Sequence, residues 1–387
     1  MRAVAENRLS ASSTAFERHI NRCLGCRACE PVCPAGVEYG QLLEGARATL
    51  QANDNQASWT SRTLHFILRH IWLKPARLKL AFSSARFMRD IGAVRLLLST
   101  KLPKLISERF ELALALLQSS KPTIEVDRSR RVSNRENTEG VLVFKGCVTE
   151  GLFGRVNVAT AKVLEENGCA TSAPGAQVCC GALHAHAGDL EGARLLAKRN
   201  IEAFSDESAA PVITNAGGCG AMLVSYSHLF EDDDEWRERA IAFSARVRDV
   251  SQQLQVTGVK PGATIGRMRV TYDASCHLIN GQHAGDAPLR MLEAIPDLEF
   301  VPLTGSDRCC GGAGIYNLME TELSAEILND KLEHVRETRA DVLTTGNAGC
   351  HMQIAAGALL NNIAVRVCHP VELLAESYGR MLRRSDE

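Results

Sequence analysis

Twelve of the fourteen cysteines in this 387-residue chain fall into three groups whose spacing is that of metal-cluster loops. The first, CLGCRACEPVCP, holds Cys23, Cys26, Cys29 and Cys33 and is followed by Pro34. The other two are a repeated set, Cys147…Cys179-Cys180…Cys219 and Cys276…Cys309-Cys310…Cys350. Structural disulfides are rare in a reducing cytosol. The N-terminal MRAVAENRLSASSTAFERHI lacks the apolar segment of a secretory signal. The cysteines therefore read as metal ligands rather than staples, and the chain as cytoplasmic.

The spacing CxxCxxCxxxCP is the bacterial ferredoxin pattern for a 4Fe-4S cluster. Cysteines at two-residue gaps let one tight loop wrap three irons while its amides point at the sulfurs. Proline after Cys33 keeps the chain from folding back as helix. Zinc is the rival, but zinc ribbons favour two separated CxxC knuckles. In two-cluster ferredoxins the fourth cysteine ligates the other cluster, and only one such motif is present here. Either Cys33 closes its own cluster, a partner chain supplies a second set, or a late start has removed an upstream motif.

The chain divides into four parts. Residues 1–50 form the cysteine module, with a helical approach (Ala15–Arg22) and a helical exit (Tyr39–Leu50). A polar linker, Gln51–Trp59, leads to a helical connector. The connector and the linker after it occupy 60–139. Apolar residues recur there at three- and four-residue steps, Pro75 and Pro103 are expected to interrupt the helix, and the other face is basic: Arg69, Lys74, Arg77, Lys79, Arg86, Arg89 and Arg95. Two CCG units follow at 140–260 and 261–387.

Each CCG unit opens with a buried-looking strand ending at a cysteine, GVLVFKGC (140–147) or RVTYDASC (269–276). The CC pair follows after 31 intervening residues in the first copy and 32 in the second. A helix (Glu191–Phe204 or Glu320–Thr338) then leads to a second strand and a last cysteine, in PVITNAGGC or DVLTTGNAGC. Strands and helices alternating at this pitch predict an α/β fold: two copies of a mostly parallel sheet related by a pseudo-twofold axis. Cys147, Cys179, Cys180 and Cys219 would be one ligand set, and Cys276, Cys309, Cys310 and Cys350 the other. Repetition argues against a chance cluster of core thiols.

Other residues carry less. Cys169 and Cys368 lie outside the groups and read as small buried hydrophobes. His184, His186, His277 and His351 sit near ligand cysteines and are expected beside them or at the surface rather than on iron. The run EDDDE (231–235) reads as a solvated helix start. A net charge of −1 offers no electrostatic case for nucleic acid. No apolar run is long enough to span a membrane. With no GxGxxG turn, no P-loop and no Ser/His/Asp constellation, the chain shows no flavin site and no catalytic residue of its own.

With these residues in view, the chain resembles the family of glycolate oxidase iron–sulfur subunits. More broadly it resembles proteins with paired cysteine-rich CCG domains, such as heterodisulfide reductase subunits and anaerobic glycerol-3-phosphate dehydrogenase. The resemblance rests on HINRCLGCRACEPVCPAGVEYG, FILRHIWLKPARL, VTYDASCHL, CCGGAGIYN and TGNAGCHMQI. It implies an electron-transfer subunit that takes electrons from FAD-binding partner subunits oxidising glycolate to glyoxylate. Those electrons would go to a quinone or another acceptor, with the assembly held at the inner face of the cell membrane through its partners. Lactate and glycerol 3-phosphate are the alternative substrates, and a non-catalytic redox sensor the alternative role. Two positions depart from the family. The first of its two ferredoxin motifs is missing, and the CxxC that ends the heterodisulfide reductase form is replaced by Met222 and Gln353.

Overall fold

The structure is a computed structural model that describes residues 1–53, 59–100, 102–123, 139–205 and 209–384. Among these, eight strands make two sheets. β1 (Glu139–Val143), β2 (Cys169–Ser172), β3 (Val212–Thr214) and β4 (Val247–Asp249) pair in the order β2-β1-β3-β4. β5 (Met268–Asp273), β6 (Leu298–Phe300), β7 (Val342–Thr345) and β8 (Arg366–Cys368) repeat it as β6-β5-β7-β8. Every pairing is parallel, which requires crossovers that the helices supply. The expected α/β duplication is present, with sheets that are wholly parallel.

Helices α1 (Thr14–Asn21) and α2 (Tyr39–Asn53) flank the first cysteine loop. The connector comprises α3 (Trp59–Ile67), α4 (Pro75–Asp90), α5 (Ala93–Ser99), α6 (Leu102–Ile106) and α7 (Glu108–Ser119). The body contributes α8 (Cys147–Leu152), α9 (Gly154–Glu166), α10 (Gly217–Val224), α11 (Cys276–Gln282), α12 (Ala348–Leu360) and α13 (Pro370–Arg384). The two helices foreseen inside the repeats run Leu190–Ala203 and Thr321–Thr338. The linker foreseen at Gln51–Trp59 is shorter at both ends. α2 continues through Asn53, α3 starts at Trp59, and the residues between lie outside those described.

Strand alternation sends successive side chains to opposite faces, and both faces are buried. Val141 and Val143 point into a core shared with Val270, Tyr272 and Val342 of the second sheet. Leu142 and Phe144 point the other way, towards Leu196, Phe204 and Tyr226. The second sheet does likewise, with Leu343 and Val367 facing Leu328 and Ile354. Cys169 and Cys368 lie on the edge strands, buried in the shared core. Helix α13 of the second half packs on α9 of the first, and α10 packs on α11. A buried ion pair ties the first contact, Arg155 to Glu372 at 2.6 Å.

The connector is helical as expected, and it is interrupted just before each proline. Pro75 opens α4 at a position where the missing amide costs nothing, and Pro103 sits in the first turn of α6. A further break falls at Gly92, whose φ of +84° suits glycine. The single basic face also needs correcting. Arg86 donates to the Gly151 carbonyl at 2.6 Å, Arg89 is buried on Ser120, and Arg69 reaches Asp189 at 3.3 Å. Three of the seven basic residues thus turn towards the body, because partners distant in sequence supply acceptors there. Phe82 of α4 closes on α8, where a Cβ on Gly151 would collide with its ring.

Candidate metal centres

The first cysteine loop is shaped by left-handed residues. Gly25, Arg27 and Gly36 have φ of +65°, +62° and +62°, reversals that turn amides towards the thiols. The Gly25 amide donates to Cys23 Sγ at 3.5 Å. Amides of Val37 and Ala35 on Cys33 hold its thiol below the ordinary range, whereas burial pushes Cys26 up. Cys23, Cys26 and Cys33 are half-buried and Cys29 is exposed. Arg27 pairs with Glu30 at 2.9 Å, and Glu30 accepts from the Gly40 amide at 2.7 Å, pinning loop to helix.

Both halves of the body grip this module. Arg47 donates to the carbonyls of Cys23 (2.7 Å) and His186 (3.0 Å). Asn280 donates to the Cys26 carbonyl at 2.9 Å and the Tyr316 hydroxyl to that of Arg22 at 3.1 Å. Glu44, buried, accepts from His186 at 3.1 Å and His228 at 2.9 Å. Burial alone would raise the Glu44 pKa, but the two histidines override it and lower it to about 2.

The repeated cysteines occupy matching positions beyond the ends of parallel strands, where loops converge. Cys147 and Cys276 are the first residues of α8 and α11, and Cys219 and Cys350 the third residues of α10 and α12. Each CC pair precedes a left-handed glycine, Gly181 (φ +90°) or Gly311 (φ +81°). In the first half Cys147 Sγ lies 3.3 Å from Cys179 Sγ, and Cys179, Cys180 and Cys219 continue the row. In the second, Cys276 contacts Cys309, Cys309 contacts Cys310, and Cys310 contacts Cys350. The turns before Cys219 and Cys350 meet each other: Gly217 N–H donates to the Gly346 carbonyl at 3.0 Å and Gly218 N–H to Asn347 Oδ1 at 3.3 Å.

Neighbouring sulfurs and burial hold Cys147, Cys276 and Cys310 well above the ordinary thiol range. Cys309 goes the other way, because it accepts from Cys276 and Cys310. Such a row cannot ionise together without a compensating cation, and a metal deprotonates the thiols it binds. All fourteen cysteines are free thiols. Trp72, at the end of the π-helical turn Leu68–Trp72, has a buried indole N–H without a conventional partner, and it lies near enough to Cys147 to lower that thiol's pKa. Among the described residues, no three His, Cys, Asp or Glu side chains close round one point that could hold a single ion. The donor set of each half, thiols alone with glycine backbone beside them, is the soft set that iron–sulfur clusters and zinc both take.

The two replaced positions bring no further thiol. Met222 is buried, and Gln353 is held by Asn317 at 2.8 Å and Ser324 at 3.0 Å. The histidines lie beside the cysteines, but deeper than a surface role allows. His184 is buried on Asp189 at 2.9 Å, and His351 packs edge-on to Phe153 with its pKa lowered to about 3 by burial. His277 is buried and His186 half-buried. The acidic run is the exposed start of a helix capped by Asp233. Several residues had no sequence signal: Trp72, Arg47 and Asn280 above, and Asn200 and Tyr226, which hold the Cys179 and Cys180 carbonyls at 2.9 and 2.8 Å. Asn347, which donates to Cys350 Sγ at 3.3 Å, could have been found from its place in TGNAGC.

The cysteine-rich domain family called CCG matches residues 141–224 and 270–355, one match for each half. The chain is 35% identical to the probable glycolate oxidase iron-sulfur subunit of Bacillus subtilis, over 98% of this chain and 86% of that one. It is 34% identical to lactate utilization protein A of Oceanobacillus iheyensis, over 60% of this chain and 96% of the relative. The protein of the same name from Geobacillus thermodenitrificans is also 34% identical, over 60% and 98%. With two CCG units on matching sheets and a likeness that runs nearly end to end, the chain belongs to the family of the glycolate oxidase iron–sulfur subunit.

Proposed function

We propose that this chain is the iron–sulfur electron-transfer subunit of a flavin-dependent complex that oxidises glycolate to glyoxylate. The observation that carries the reading is the extent of the likeness. It covers 98% of the chain for the glycolate oxidase relative, cysteine module included, but 60% for the lactate utilization relatives. Cys23, Cys26, Cys29 and Cys33 would hold a 4Fe-4S cluster, and the two CCG sets would hold further clusters. Bound there, such clusters pass single electrons, which is what a flavin that takes two at once requires of its partner. The protein's own work is to hold the three cysteine sets at fixed separation, aim amides at the sulfurs and limit water at the CC pairs, where Cys179, Cys180 and Cys310 are buried.

The flavin would belong to FAD-binding partner subunits, and a quinone or another carrier would take the electrons on the cytoplasmic side. The lactate utilization relatives favour lactate as the second substrate reading. The test is anaerobic co-purification with the flavoprotein chains. Iron, acid-labile sulfide and glycolate-dependent dye reduction are the expected results. Zinc without sulfide would overturn the cluster reading, and bleaching of the clusters by D-lactate but not glycolate would overturn the substrate.

A further inference from the structure

The connector is amphipathic in an unusual sense: it has apolar side chains on both faces. On α4, Leu78, Phe82 and Arg89 face the body. Leu80, Phe87 and Ile91 follow at steps of seven and four, which places them on one side of the helix, opposite those three. They are 68%, 63% and 58% exposed. Exposed apolar side chains continue on α3, where Trp59 and Phe66, seven residues apart, are 79% and 61% exposed, and on α6, where Leu105 is 83% exposed. Exposed apolar side chains of this size, repeated along successive helices of one connector, mark a surface that is covered in use.

Charge identifies the cover. Residues 59–107 hold ten Lys and Arg against one acid, Asp90, in a chain whose net charge is −1. Asp90 is itself paired with Arg89 at 2.8 Å. Lys74, Arg77, Lys79, Arg95 and Lys104 are exposed and interleaved with the exposed apolar residues. The core of a protein–protein interface is depleted of lysine and of charge generally. A lipid surface accepts the mixture, because long basic side chains reach up to phosphates while their apolar neighbours enter the acyl boundary. Among the described residues no helix is long and apolar enough to cross a membrane, so these short helices would lie in the plane of the interface.

We propose that the outer face of α3 to α6 is a lipid-docking surface that binds a bilayer containing anionic lipid directly, without a membrane-spanning partner. The geometry separates the two faces of the connector. One is committed to the body through Phe82, Arg86 and Arg89, and the other is free to enter the headgroup layer. Binding combines burial of the apolar side chains with attraction between the basic ones and the negative surface.

The full-length protein, purified with its metal content intact, is to be sedimented with vesicles of phosphatidylcholine, with or without phosphatidylglycerol. It is expected to co-sediment with the anionic vesicles and to be released by high salt. Leu80→Asp with Phe87→Asp, and separately Arg77→Glu with Lys79→Glu, should each weaken binding about tenfold or more. These side chains are exposed, so the visible absorption spectrum and circular dichroism should not change. Failure of the wild-type protein to bind anionic vesicles at low salt would overturn the proposal. So would binding that is indifferent to the lipid charge and to the basic substitutions. The apolar substitutions could instead abolish only self-association or capture of the flavoprotein chains, with no vesicle binding in the wild type. That result would assign the face to a protein partner and sink the lipid reading.

Discussion

Asn280 of the second half donates its side-chain amide to the carbonyl of Cys26 across 2.9 Å, and Cys26 lies close enough to Cys276 and Cys309 for their charges to be felt. One hydrogen bond thus fastens the first cysteine set beside the third. Asn280→Ala removes the donor and should cost about 1 kcal/mol. The expected outcome is faster hydrogen exchange at residues 22–33 with little change in global melting, measured by mass spectrometry. Unchanged exchange in that loop would mean Arg47 and Tyr316 hold it alone.

The three cysteine sets and the two outlying cysteines should separate by metal content. Cys26→Ser is expected to abolish a ferredoxin-type EPR signal and electron output while flavin reduction by substrate continues in the complex. Cys169→Ala and Cys368→Ala should keep full iron and sulfide, because both thiols are buried in the shared apolar core. Loss of iron in either alanine variant would show that the ligand sets are drawn wrongly.

The Glu44 cluster should make module docking depend on pH. Glu44 titrates at about 2 in the fold against an ordinary 4.5, so its contribution is whole above pH 4.5 and fades as pH falls towards 2. His228 is raised above 6.5: burial opposes its charge, but the hydrogen bond to Glu44 prevails. Its contribution is whole below pH 6.5 and is lost as pH rises through the higher value. Glu44→Gln should therefore cost most between pH 4.5 and 6.5, about 1–3 kcal/mol, and less in alkali. Melting temperature followed across pH checks this. A penalty that grows in alkali would contradict it.

Lys331 and Asp273 form a buried pair at 2.7 Å beneath the second CCG set, both side chains 2% exposed. Burial still raises the Asp273 pKa despite the lysine. Lys331→Met would strand the carboxylate and should cost about 3–5 kcal/mol. Adding Asp273→Leu should recover most of that loss in denaturant titrations. A double variant no better than the single would show that the lysine's bond to the Gly305 carbonyl, 2.6 Å, matters more than the pair.

What could be read in the sequence is what is local or periodic. The cysteine spacing, the four central strands and the repeat itself lie in short strings, and the fold reproduces them. The edge strands β2, β4, β6 and β8 are as short as β3 and β7 but lead to no ligand cysteine that would mark them. The phase of the connector misled for a physical reason. A helix that is apolar on two sides does not say which side is inside, and Arg86 and Arg89 find their acceptors at Gly151 and Ser120, far along the chain. The contact between Glu44 and His228 spans 184 residues and leaves no trace in either neighbourhood.

The crossing of α13 onto α9 bears on how a chain of this kind can be shortened. Each half lends a helix to the other and they share one core, so neither is a removable cassette. A polypeptide ended after the first sheet would leave the inner face of α9 bare and Arg155 without Glu372. The duplication arose from repeated units, yet the product has become indivisible. Its two copies can diverge in the groups they hold, but they must fold as one.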